Sequence, residues 1–179
     1  MFDEAGRNPS GDPGQSGRED KIYATVVAFF AAGLFVACLV ATFGMISLYT
    51  NLNVISESDA GPFVGPIMCF LATLMLLGLL VAHGVSRTAD QQRIAPGSAI
   101  LAAIAAYAVF VLGGGVAYAA ATGHPLGFLT FTFAMAGSLF SISTAILAFL
   151  VALAYQLVLV GRFRQRGRPQ WPWEHKQEP

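Results

Sequence analysis

Four long apolar stretches, separated by short polar ones, dominate the pattern of this chain. They cover residues 22–50, 60–82, 98–121 and 126–161 approximately. A helix rises about 1.5 Å per residue, so about 20 residues cross a bilayer's hydrocarbon core. Each stretch is long enough. Lipid offers no partner to backbone N–H and C=O groups, so a lipid-facing stretch of this kind must be helical. The short alternating segments of a membrane β-barrel are absent from the pattern. The expected fold is all-α: an integral membrane, antiparallel four-helix bundle with short loops.

The stretches have readable starts. Asp59 and Gly61-Pro62 precede the second, Pro96 opens the third, and His124-Pro125 precedes the fourth. Proline suits a first helical turn, where its missing N–H has no intrahelical partner. Pro66 lies one turn deeper and is expected to kink the second helix. The fourth stretch would be about 54 Å long as one helix. It must tilt, project past the membrane, or start later than Leu126. The Thr-Phe-Thr-Phe stretch at 130–133 is a candidate interfacial turn. Residues 1–20 are polar, rich in Gly and acids, and are expected to be a disordered tail. They lack the basic start and short apolar core of a signal peptide, so the first stretch is expected to stay as an anchor. Residues 21–161 form the expected transmembrane domain, and 162–179 a basic, Trp-rich tail.

Charge orients the bundle. The ten Lys and Arg fall at 7, 18 and 21, at 87 and 93, and at 162, 164, 166, 168 and 176. Basic residues near span ends stay on the cytoplasmic side. With four spans, both tails and the 83–97 loop share a side, and all ten cations lie there. Both termini are therefore expected in the cytoplasm. The 51–59 loop, with Glu57 and Asp59, and a tight turn near Gly123 fall outside. Composition agrees: 55% of residues are hydrophobic and 11% charged, against about 25% charged in an average soluble domain. Net charge is zero, so no nucleic-acid partner is implied.

The same gaps narrow the chemistry. No Asp, Glu, Lys or Arg lies in the four stretches, whereas proton relays and voltage sensors carry such groups. His83, His124 and His175 fall at different levels and cannot share a haem iron. Cys38 and Cys69 read as small packing residues. Glu57 and Asp59 read as a helix cap and a solvated charge, and are a thin basis for a lipid-modifying enzyme. Ser138, Ser141, Ser143 and Thr144 have no base within their span and suit packing. No catalytic, cofactor or metal residue is expected.

The positive signal is a set of small residues spaced by four: Ala24, Ala28, Ala32; Gly33, Ala37, Ala41; Gly61, Gly65, Cys69, Thr73; Gly137, Ser141, Ala145. Ala105, Gly113, Ala117 and Ala121 extend the theme. Such faces let helix backbones approach closely. Gly113-Gly114-Gly115 reads as a close crossing, or else as a hinge or ligand notch. After the last span, Arg162, Arg164, Arg166 and Arg168 are candidate contacts to anionic lipid, worth about 1 kcal/mol each near headgroups. Trp171 and Trp173 are candidate interfacial anchors.

Two motifs add a resemblance. Asp-Ala-Gly-Pro-Phe-Val-Gly-Pro (59–66) and Arg-Pro-Gln-Trp-Pro-Trp-Glu (168–174) resemble a family of small four-span actinobacterial membrane proteins of unknown function. The resemblance implies a bacterial plasma membrane and no particular activity or site. The expected role is a non-catalytic accessory, assembly or structural subunit. It would contact the bilayer, other membrane subunits or a second copy. The alternative is a small channel or carrier for an uncharged or lipidic substrate.

Overall fold

A computed structural model describes residues 13–51, 54–55, 61–86 and 96–166, with side chains between 18 and 161 in those ranges. Among the described residues there are five helices: α1 Pro13–Thr50, α2 Val64–Ser86, α3 Pro96–Thr122, α4 Gly127–Ala136 and α5 Leu139–Arg166. The fold is all-α. Four helical segments are long and apolar enough to cross a membrane: Arg18–Thr50, Val64–Ser86, Pro96–Thr122 and Leu139–Gly161.

The helix ends depart from expectation where local chemistry says they should. Helix α1 begins at Pro13, inside the tail expected to be disordered through residue 20. Proline at a first helical position loses nothing, and extending an existing helix is far cheaper than nucleating one. At its other end, the Asn51 N–H donates to the Ser47 carbonyl at 2.9 Å. Asn51 takes a φ of 54°, the left-handed stop that asparagine tolerates. Gly123 ends α3 likewise, with a φ of 70°. The second helix starts at Val64, so Pro66 falls in its first turn. The Ile67 amide supplies the bond to the Phe63 carbonyl at 3.0 Å. The expected kink at Pro66 is therefore not there, because that proline breaks no ladder.

The fourth stretch is two helices, not one. Chain reversal at His124-Pro125 leads into α4, and α4 gives way to α5 at Gly137-Ser138. Residues 130–133 are helical rather than a turn. Helix α4 runs back along α3: Phe128 and Thr132 lie at Gly115, Phe131 at Gly114, and the Ala136 carbonyl at Tyr107. The break thus lies about halfway down α3. A break at that depth persists only if its backbone groups find partners. The Tyr107 hydroxyl donates to the Ala136 carbonyl at 2.6 Å. The Ser141 hydroxyl donates to the Met135 carbonyl at 2.7 Å. The Ser141 N–H donates to the Ser138 hydroxyl oxygen at 3.2 Å, an N-cap for α5. Ser143 and Thr144 donate to carbonyls of their own helix, Leu139 and Phe140. The hydroxyl cluster is thus spent on backbone.

Helices α1, α2, α3 and α5 form a ring in which α1 touches α2 and α5, and α3 touches the same two; α4 lies against α3. In α2 every fourth residue is buried: Val64, Met68, Ala72, Leu76, Leu80, Gly84. Rows of that spacing incline to the helix axis, which sets the helix across its neighbours at an angle. Phe43, Phe110 and Phe140 join α1, α3 and α5, with ring centroids 5.9 Å and 5.2 Å from Phe43 in edge-to-face contact. Hydrocarbon lipid is as apolar as this core, so close packing rather than expulsion from water holds it.

The consecutive glycines Gly113, Gly114 and Gly115 of α3 serve that packing. A Cβ on Gly113 would lie 2.8 Å from the Leu71 Cδ1 of α2. On Gly114 it would lie 2.6 Å from the Met68 Cε and 3.0 Å from the Phe131 ring. On Gly115 it would collide with the Thr132 hydroxyl and lie 2.8 Å from the Phe128 ring. One short run of backbone therefore receives α2 on one side and α4 on the other.

Candidate functional site

Call the end where α1 begins, α2 and α3 are joined and α5 finishes the basal end. Three helices line a half-open cleft of about 190 Å³ there. Leu80, Ala82 and His83 line it from α2, Ser98 and Leu101 from α3, and Tyr155 and Gln156 from α5. Leu101 and Ala82 are exposed at its mouth, whereas Tyr155 and Gln156 are buried at its floor.

Gln156 is the one Asn or Gln within the four crossing segments, and it is only 4% exposed. Its amide N–H donates to the Ser98 hydroxyl at 2.9 Å, tying α5 to α3. An unsatisfied amide in hydrocarbon would cost several kcal/mol, by order of magnitude. Beside it, the Tyr155 hydroxyl donates across the bundle to the Ala24 carbonyl of α1 at 3.2 Å. It reaches that carbonyl by passing directly over Gly84 of α2, where any Cβ would collide with it. Ala24, Gly84 and Tyr155 thus lock three helices together beside the cleft. Four polar side chains, His83, Ser98, Tyr155 and Gln156, line the cleft.

The residues singled out by sequence fall elsewhere or have other duties. The helical backbone carries Arg162, Arg164 and Arg166 on the last turns of α5, but their side chains, and all of Arg168, Trp171 and Trp173, lie outside the described residues. So do Glu57 and Asp59. His124 is exposed in the turn before α4, and of the two described histidines His83 lines the cleft. Cys38 and Cys69 are free and half-buried on different helices. The small-residue faces divide. Ala24, Ala28 and Ala32 are buried against the bundle, while Gly33, Ala37 and Ala41 point outward. Sequence reasoning passed over Gln156 and Tyr155; the signal available was a single carboxamide inside a crossing segment.

The four long apolar helices and the apolar surround define an all-helical membrane protein. The chain belongs to DUF6121, a family of unknown function that matches residues 17–179. No curated protein and no solved structure matches it.

Proposed function

We propose that this protein is a non-catalytic accessory or assembly subunit of a larger complex in a bacterial plasma membrane. The observation that carries the reading is the outward face of α1. Gly33, Ala37, Ala41 and Gly44 are exposed, and a Cβ on Gly33 or Gly44 would meet nothing within 4 Å. Gly113, Gly114 and Gly115 of α3 have neighbouring side chains packed on them. These residues of α1 are small without any use inside the chain. A small-residue face lets another transmembrane helix approach backbone to backbone.

Purification in mild detergent tests this. The wild type is expected to co-purify with another membrane protein or a second copy, and Gly33→Ile with Ala37→Ile to lose that association. Monomer stability should be little changed, because a Cβ at Gly33 meets nothing within 4 Å and Ala37 is exposed among the described residues. A lone wild-type particle would defeat the reading and favour the second one, a carrier for an uncharged or lipidic substrate. That second reading draws on the broken fourth crossing, since discontinuous helices occur at transporter binding sites.

The topology belongs to the same proposal. Basic residues confined to the basal side support cytoplasmic termini. A periplasm-active reporter joined after Ser56 is expected to be active, and one joined after Arg87 inactive. The reverse pattern would invert the orientation.

A further inference from the structure

We propose that α4 is a strap that alternates between a position seated on α3 and one lifted from it into the surrounding lipid. The seat is narrow. Helix α4 rests on α3, touches α5 slightly and meets the other helices still less. Phe128, Phe131 and Thr132 fill the space that Gly114 and Gly115 leave. The Phe131 ring stacks on Tyr118 of α3, 4.9 Å between centroids. At the far end the Tyr107 hydroxyl clasps the Ala136 carbonyl. Leu126, Leu129 and Phe133 are exposed on the other side, so no described helix backs the strap from outside.

One hydroxyl weighs against the seated position. In a helix, a threonine hydroxyl ordinarily bonds to a carbonyl three or four residues back. Thr25, Thr50, Thr73, Thr122 and Thr144 each donate to the carbonyl four back. Thr130 of α4 donates to Gly127, three back. Thr132 does neither. Its oxygen is buried with no hydrogen-bond partner among the described residues, turned instead into the place that a Gly115 side chain would take. A donor buried unpaired disfavours the state that buries it. Away from α3, that hydroxyl can turn to the carbonyl of Phe128 as the other threonines do to theirs. Packing therefore holds α4 down while Thr132 favours release. The ends permit the motion. Gly123 and Gly137 flank α4, and a Cβ on either would meet nothing within 4 Å. Leu126, at the N-cap, makes no side-chain capping bond. Lifting leaves the bonds inside α4 intact, as lipid requires of a helix. This device is independent of the assembly role, which uses the outward face of α1.

Spin labels in the full-length protein in lipid nanodiscs test it, placed on Phe70→Cys of α2 and Phe133→Cys of α4, with Cys38 and Cys69 replaced by alanine. Phe70 and Phe133 are both exposed, so the labels leave the packing alone. Pulsed dipolar spectroscopy is expected to give a main distance and a minor second one. Thr132→Ala should shrink the minor population about fivefold, because it removes the unpaired hydroxyl. Tyr107→Phe should enlarge it about threefold, by undoing the clasp on Ala136. Were Thr132 a packing residue alone, truncating it would loosen α4 and enlarge the minor population instead. That result, a minor population that neither variant changes, or a single distance in all three proteins would overturn the proposal.

Discussion

Gly84→Ala is expected to destabilise the bundle, and Tyr155→Phe to recover most of the loss. The added Cβ would collide with the Tyr155 hydroxyl, which has nowhere to go because it is bonded to the Ala24 carbonyl. Overpacking of this kind costs about 1–3 kcal/mol. Alone, Tyr155→Phe removes one hydrogen bond, worth about 0.5–1.5 kcal/mol. In the Gly84→Ala background it also removes the obstructing atom. The nearest remaining ring atom, the Tyr155 Cζ, is 3.5 Å from the new Cβ, an ordinary contact. Recovery is incomplete because the Ala24 Cβ lies only 3.0 Å away. Denaturant unfolding of the four proteins in detergent measures the coupling. Simple additivity of the two changes would show that the three-helix lock is not as described.

Gly115→Val is expected to have the other large effect, near the upper end of the same range of about 1–3 kcal/mol. Its side chain would enter the Phe128 ring, 2.8 Å away, and displace Thr132, whose hydroxyl is buried without a hydrogen-bond partner among the described residues. Neither neighbour can swing aside as a methionine tip could. Helix α4 must lift from α3. Gly33→Val is the matched control. Nothing lies within 4 Å of that position, and leaving glycine favours a helix slightly. The monomer should hold its stability within about 0.5 kcal/mol. Thermal unfolding of the two variants should separate them clearly, and equal midpoints would remove the glycine notch from the argument.

Much of the architecture was legible because the bilayer imposes a length. Apolar runs of sufficient extent, punctuated by Pro62 and Pro96, gave the first three crossing helices to within a few residues; the fourth starts at Leu139 rather than near Leu126. What stayed hidden has one physical cause. In a soluble protein the inside of a helix is apolar and the outside polar. Here both sides are apolar, so Ala24-Ala28-Ala32 and Gly33-Ala37-Ala41 look alike in sequence, yet one is buried and the other exposed. The break at Gly137-Ser138 was hidden for a related reason: glycine and serine also make packing stripes. The excess length of the fourth stretch was the true signal, since about 20 residues suffice to cross. The cleft was missed because Gln156 is a single uncharged residue, and the search for chemistry looked for ionisable groups.

The glycine notch has a consequence for height. Helix α5 has enough apolar length, Leu139–Gly161, to cross a bilayer unaided, so length alone would let it slide vertically by several residues. Seating α4 on Gly114 and Gly115 removes that freedom, because the capped junction at Ser138 holds α5 directly below α4. Two small residues in the third helix therefore act as a depth stop for the fifth. They fix the level at which Gln156 meets Ser98, and the level at which the helix carrying Arg162, Arg164 and Arg166 leaves the bundle.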